Sequence, residues 1–103
     1  MELIETQTFT KQIRTLVNEE QYRKFQVTLA ENPSRGSIIK GSGGIRKTRI
    51  ATTGKGKSGG ARVIYYWARK DLILLLFAYS KNESTDLTPT QLKQLSAIVR
   101  KEF

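Results

Sequence analysis

The chain alternates between segments with helical and segments with strand-like spacing of apolar residues. Residues 2–9 (ELIETQTF) alternate imperfectly and read as a first strand. Thr8 or Thr10 then caps a helix whose Ile13, Leu16 and Val17 fall on one face. Asn18 interrupts that helix and starts a second, with Glu19 and Glu20 in its first turn, where the helix dipole favours acids. Tyr22, Phe25 and Leu29 repeat along it until Asn32-Pro33 ends it. Short strands follow at Ser37–Lys40, Ile45–Ala51 and Arg62–Ala68, and Asp71, after Arg69-Lys70, marks a tight turn. Leu72–Tyr79 (LILLLFAY) is apolar on both faces, which places it at the centre of a sheet, covered on each side. Thr88-Pro89-Thr90-Gln91 is a capping box with proline at the first helical position, and Leu87 and Leu92 occupy the positions of a hydrophobic staple. Leu92, Leu95 and Val99 give the last helix its apolar face. The predicted order, β-α-α-β-β-β-β-α, is an α+β fold: one domain spanning residues 1–103, an antiparallel sheet of four to five strands, an N-terminal helical hairpin and a C-terminal helix, with the helices on one face.

Composition narrows the chemistry. A chain of 103 residues suits one domain. The longest apolar run, Leu72 to Ala78, is far short of the roughly 18 residues a membrane span needs. Glu2 and Glu5 stand where a secretory signal carries basic residues, so the expected setting is cytoplasmic, with no membrane partner. There is no cysteine and no histidine. Disulfides and Cys/His zinc sites are thereby excluded, and the common acid–base group of neutral pH is missing. The expectation is a site without metal or cofactor, built from Lys, Arg, Tyr, hydroxyl, carboxylate or backbone groups.

Charge supplies the functional pointer. The net charge is +9, and Asn32 to Lys70 holds ten Lys/Arg and no Asp/Glu, whereas the rest of the chain carries eight basic and nine acidic residues. A basic stripe confined to one segment is the footprint of a polyanion. All eight glycines also lie between Gly36 and Gly60. The stretch Thr52–Gly60 (TTGKGKSGG) has no apolar anchor and is expected to be a mobile loop. Its Lys55 and Lys57, with Arg62 opening the next strand, suit phosphate contacts: lysines as point charges, arginine as a two-pronged fork. It is not a P-loop, since G-x-x-x-x-G-K-[ST] is absent and no long helix follows. On neighbouring strands Arg46 shares a face with Thr48, and Lys47 with Arg49; Arg62, Ile64 and Tyr66 share one face, Val63, Tyr65 and Trp67 the other. Basic side chains beside aromatic ones suit single-stranded nucleic acid. Arg46, Lys47, Arg49, Tyr66 and Tyr79 are the candidate RNA contacts, and Lys81 adds a charge at the end of the Leu72–Tyr79 strand.

Three blocks, G-x-G-G-I-R-K-x-R (Gly41 to Arg49), G-K-G-K-S-G-G-A-R-V-I-Y-Y (Gly54 to Tyr66) and Y-S-K-N-E-S-x-D-L-T (Tyr79 to Thr88), resemble the HigB branch of the RelE-type toxins. The resemblance runs from the helical hairpin to the final helix. It implies the RelE-like microbial ribonuclease fold and a metal-independent endoribonuclease that cleaves mRNA, typically in the ribosomal A site, by attack of the RNA 2′-OH on the adjacent phosphate. It further implies a helix-turn-helix antitoxin of the HigA type, with operator DNA reached only through that antitoxin. By the same resemblance Lys55, Lys57, Arg62 and Lys81 match the family's catalytic positions. The sequence departs from the best-known members in lacking an arginine near Lys81 and a tyrosine on the final helical segment, so the resemblance assigns no general acid or base. Two other functions suit the same features: a non-catalytic RNA- or ribosome-binding protein, and a gyrase-directed ParE-type toxin on a similar scaffold.

Overall fold

The computed structural model describes residues 1–51, 60–81 and 86–102. Strand β1 covers only Glu2–Glu5, and helix α1 runs Gln7–Leu16. The expected first strand was too long because Thr6 ends it. Its Oγ1 accepts from the Phe9 N–H at 3.0 Å, making Thr6 the N-cap in place of Thr8 or Thr10, and donates to the Leu76 carbonyl at 2.9 Å. Helix α2, Glu19–Glu31, opens on a reciprocal capping box: Gln21 N–H donates to Asn18 Oδ1 at 2.8 Å, and Asn18 N–H to Gln21 Oε1 at 2.9 Å. Strands β2 (Ser37–Ile38), β3 (Ile45–Ile50), β4 (Ala61–Arg69) and β5 (Leu72–Ser80) follow, then helix α3, Pro89–Glu102. Both halves of the expected capping box form at its start, between Thr88 and Gln91.

The five strands lie in the order β1-β5-β4-β3-β2. The α+β class and the element order match expectation; the sheet is mixed rather than wholly antiparallel. Strands β2 to β5 follow one another directly along the chain and pair antiparallel, whereas β1 and β5, far apart in sequence, pair in parallel. The central strand is β4, and β5 lies beside it.

The helices cover both faces of the sheet, not one. Phe9 and Ile13 of α1 and Phe25 and Leu29 of α2 pack on Ile50, Val63, Tyr65, Ile73, Leu75 and Ala78. Leu95 and Val99 of α3 pack on the opposite face, against Ile45, Ile64, Leu74, Leu76 and Tyr79. Two-sided cover explains why β5 reads as continuously apolar: Leu72 to Leu76 are all buried.

Strand β5 is irregular in its middle. Ile64 pairs with Phe77 but Tyr65 pairs with Leu75, so Leu76 is an extra residue. The bulge reverses the alternation beyond it. Leu74, Leu76 and Tyr79 therefore share the α3 side, while Ile73, Leu75 and Ala78 share the other.

Candidate functional site

The cross-strand register assembles a row of side chains on the α3 side of the sheet. Arg49 of β3 lies opposite Arg62 of β4, and Arg62 lies opposite Tyr79 of β5. The adjoining row is Lys47, Ile64 and Phe77. Sequence parity alone puts Lys47 with Arg49. That Tyr79 joins them follows only from the bulge at Leu76, since strict alternation would have turned it toward α1.

Arg49 and Arg62 are like charges placed directly across two strands, an arrangement that costs up to about 1 kcal/mol in the absence of a counter-charge. Arg62 is half-buried; Arg49 is exposed. Lys47 Nζ pairs with Asp86 Oδ2 at 3.3 Å, linking β3 to the segment before α3. Tyr79 is 8% exposed, and its hydroxyl is the buried side-chain polar atom that has no hydrogen-bond partner among the described residues. Burial raises its pKa, the nearby Asp86 raises it further, and Arg62 works in the opposite direction.

Lys81 sits at the exit of β5, its backbone N–H donating to the Gly60 carbonyl at 3.3 Å. Gly60 precedes β4, so Lys81, Arg62 and the return point of the glycine-rich segment share one end of the sheet. Lys55 and Lys57 lie outside the described residues, as does the expected mobility of that segment. Its flanks, Ile50 and Ala61, are paired to each other across the hairpin.

Two expected contacts are not brought into this row. Arg46 lies on the α1–α2 side, where its Nη1 donates to the Gly36 carbonyl at 2.7 Å and the Ser34 carbonyl at 3.2 Å. Those bonds brace the α2–β2 linker. Tyr66 shares the face of Arg62 but lies four residues along β4, roughly 13 Å away at about 3.3 Å per residue. It packs beside the α3 cluster.

Sequence reasoning missed Asp86 and Gln12. Asp86 was legible only as an acid standing just ahead of the Thr88 cap. Gln12 looked like an ordinary polar helix position. Its Oε1 accepts the Ala78 N–H at 2.8 Å, where β5 has run past the end of β1 and lacks a strand neighbour on that side.

No group of three or more carboxylate, imidazole or thiol side chains gathers among the described residues. No helix among them is long and apolar enough to cross a membrane. The profile of the RelE toxin family, described as the RelE toxin of the RelE/RelB toxin–antitoxin system, matches residues 1–102. The match takes in both helices of the hairpin, all five strands and α3, and with it the Arg49–Arg62–Tyr79 row. The chain therefore belongs to the RelE toxin family, the toxin half of a toxin–antitoxin pair.

Proposed function

We propose that this toxin is an endoribonuclease that cuts messenger RNA on the ribosome without a metal ion and so stops translation. The observation that carries the reading is the cationic row: Arg49 and Arg62 side by side against Tyr79, with Lys81 at the same end of the sheet. Two guanidinium groups opposed on one face of the sheet suit contact with a phosphodiester.

In the reaction the ribose 2′-oxygen attacks the adjacent phosphorus and the bond to the 5′-oxygen of the next nucleotide breaks. A 2′,3′-cyclic phosphate and a 5′-hydroxyl result; the 2′-OH loses a proton and the departing oxygen gains one. Negative charge builds on the non-bridging oxygens in between. Arg62, anchored in the sheet, offers a fixed two-pronged donor to those oxygens. Lys81, at the same end of the sheet, adds a point charge, Lys55 and Lys57 are assigned to the phosphate by residue type alone, and Lys47, Arg49 and Tyr79 line the approach of the strand. Holding the message in the ribosome supplies much of the orientation that so small a protein would otherwise provide. The assignment extends to the HigB branch, to a cytoplasmic setting, and to a helix-turn-helix antitoxin of the HigA type as the partner.

Single-turnover cleavage of a ribosome-bound message by purified protein tests the reading. The native protein should cut within the coding region, with no added zinc or manganese. Arg62→Ala should lower the rate by about 3–4 kcal/mol of transition-state stabilisation, or 10²- to 10³-fold, with unchanged melting. Cleavage that requires an added transition metal, or full activity in Arg62→Ala, would overturn it. Ribosome binding without cleavage of any message would leave the non-catalytic alternative.

A further inference from the structure

Beyond the end of β1, the uncovered edge of β5 borders a cavity of about 290 Å³. Phe77 and Tyr79 form one wall, Gln12 of α1 a second, and Leu87 and Gln91 at the start of α3 a third. This volume stands at the lower limit of small-ligand sites, near about 300 Å³, which is room for one flat ring system and not for an oligomer.

The lining is specific in its chemistry. Gln12 Oε1 is engaged by the Ala78 N–H at 2.8 Å, and Gln91 Oε1 by the Thr88 N–H at 2.9 Å. Each carboxamide is thus held by its oxygen, and its NH₂ remains as an oriented donor. Tyr79 lines the same cavity, and its buried hydroxyl has no hydrogen-bond partner among the described residues. A buried polar group left in that state costs about 1–3 kcal/mol, which a ligand meeting it would recover. Phe77 and Leu87 give the cavity its apolar surface, and the Asp86 carboxylate that lines it is paired with Lys47.

These features together suit a neutral, planar group whose edge carries both donors and acceptors, next to cations that hold a phosphate. A nucleobase swung out of its stack has that chemistry, and recognition of single-stranded RNA commonly works this way. Arg62, opposite Tyr79, and Lys81, two residues beyond it, stand where the phosphates of the same strand would run.

We propose that this cavity receives one unstacked base of the RNA and reads its identity through the Tyr79 hydroxyl and the amide groups of Gln12 and Gln91. The inference rests on the RNA-cleaving reading and deepens it by naming where base preference arises.

The test is a titration of the ¹⁵N-labelled full chain with adenosine, guanosine, cytidine and uridine, followed by NMR. Nucleosides lack a phosphate, so the basic surface does not capture them, and no cleavage is needed. One nucleoside should bind best, moving the Ala78 amide and the Gln12 and Gln91 side-chain NH₂ signals. Tyr79→Phe should weaken that nucleoside by about tenfold, the size of one good base contact. Gln91→Glu keeps the capping oxygen but exchanges the NH₂ donor for an acceptor, and should change which nucleoside binds best. No shift at these signals up to about 10 mM nucleoside, a concentration that reveals even contacts worth only ~3 kcal/mol, would overturn the proposal. So would four-way preferences left unaltered by both variants. If nucleosides bind as described while the native protein cuts no ribosome-bound message, the nuclease reading fails and the pocket stands. If cleavage is robust but nucleosides leave these signals unmoved, the pocket alone fails.

Discussion

Tyr65 shows how one hydroxyl fixes a connection. Buried at the centre of β4, it donates to the Pro33 carbonyl at 2.7 Å and accepts the Gly36 N–H at 2.9 Å. A Cβ on Gly36 would come within 2.8 Å of both the Lys47 carbonyl and the Tyr65 hydroxyl, so only glycine lets the linker lie this close. Tyr65→Phe should cost about 1–3 kcal/mol, read as a lower denaturation midpoint at unchanged slope. Arg46→Ala should also lower stability, because Arg46 braces the same linker, yet reduce cleavage far less than Arg62→Ala. Equal losses of cleavage in the two variants would show that Arg46 meets RNA directly. Tyrosines also set the alkaline limit. Burial raises the pKa of Tyr22, Tyr65 and Tyr79 above the ordinary 10.0, and for Tyr22 the Glu5 carboxylate that accepts its hydroxyl at 2.6 Å adds to the effect. Above pH 10 the unfolded chain loses these protons before the folded one does. The unfolded state then binds fewer protons, and stability falls as pH rises. Melting temperature should be level in this respect below pH 10 and decline above it, more steeply for the native protein than for Tyr22→Phe.

At the scale of elements, the helix starts are local and the strand faces are not. Asn18 with Gln21 and Thr88 with Gln91 form capping boxes within four residues of chain, so their signals survive any tertiary context. Thr88→Ala should cost about 1 kcal/mol, comparable with Asn18→Ala. Its further consequence is functional. The start of α3 carries Asp86, Leu87 and Gln91, so fraying there loosens both the Lys47 ion pair and the wall of the cavity. Cleavage should therefore fall in Thr88→Ala and not in Asn18→Ala, measured side by side at a temperature where both remain folded. Strand β5 behaves in the other way. Its side-chain directions depend on the bulge opposite Ile64 and Tyr65, which no local pattern in LILLLFAYS announces.

For the whole molecule, the +9 charge governs encounter. The excess lies in one stretch of chain, and the sheet spreads part of it across two faces: Lys47, Arg49 and Arg62 toward α3, Arg46 toward the hairpin. Affinity for RNA or ribosomes should fall steeply with salt, since each neutralised phosphate releases counterions. A binding constant that is flat between low and physiological salt would rule out a polyanion partner. Arg49→Ala and Lys47→Ala should each reduce the slope of log affinity against log salt by about one, whereas Arg46→Ala should leave it nearly unchanged.

The order of elements, two of the three helix starts, the apolar strand and the basic stripe were all legible in the residues, because caps, periodicity and charge act over a few positions. Arg62 and Lys81 were likewise marked by type and by their place at strand ends. The first helix start was misread because Thr6, Thr8 and Thr10 are equivalent as local caps, and the choice fell to Thr6 through its bond to Leu76 on a strand seventy residues away. The parallel pairing of β1, the helices on opposite faces and the bulge that brings Tyr79 beside Arg62 are likewise long-range. They depend on which packed surfaces meet, and the sum of those contacts outweighs the weak preferences of any single segment.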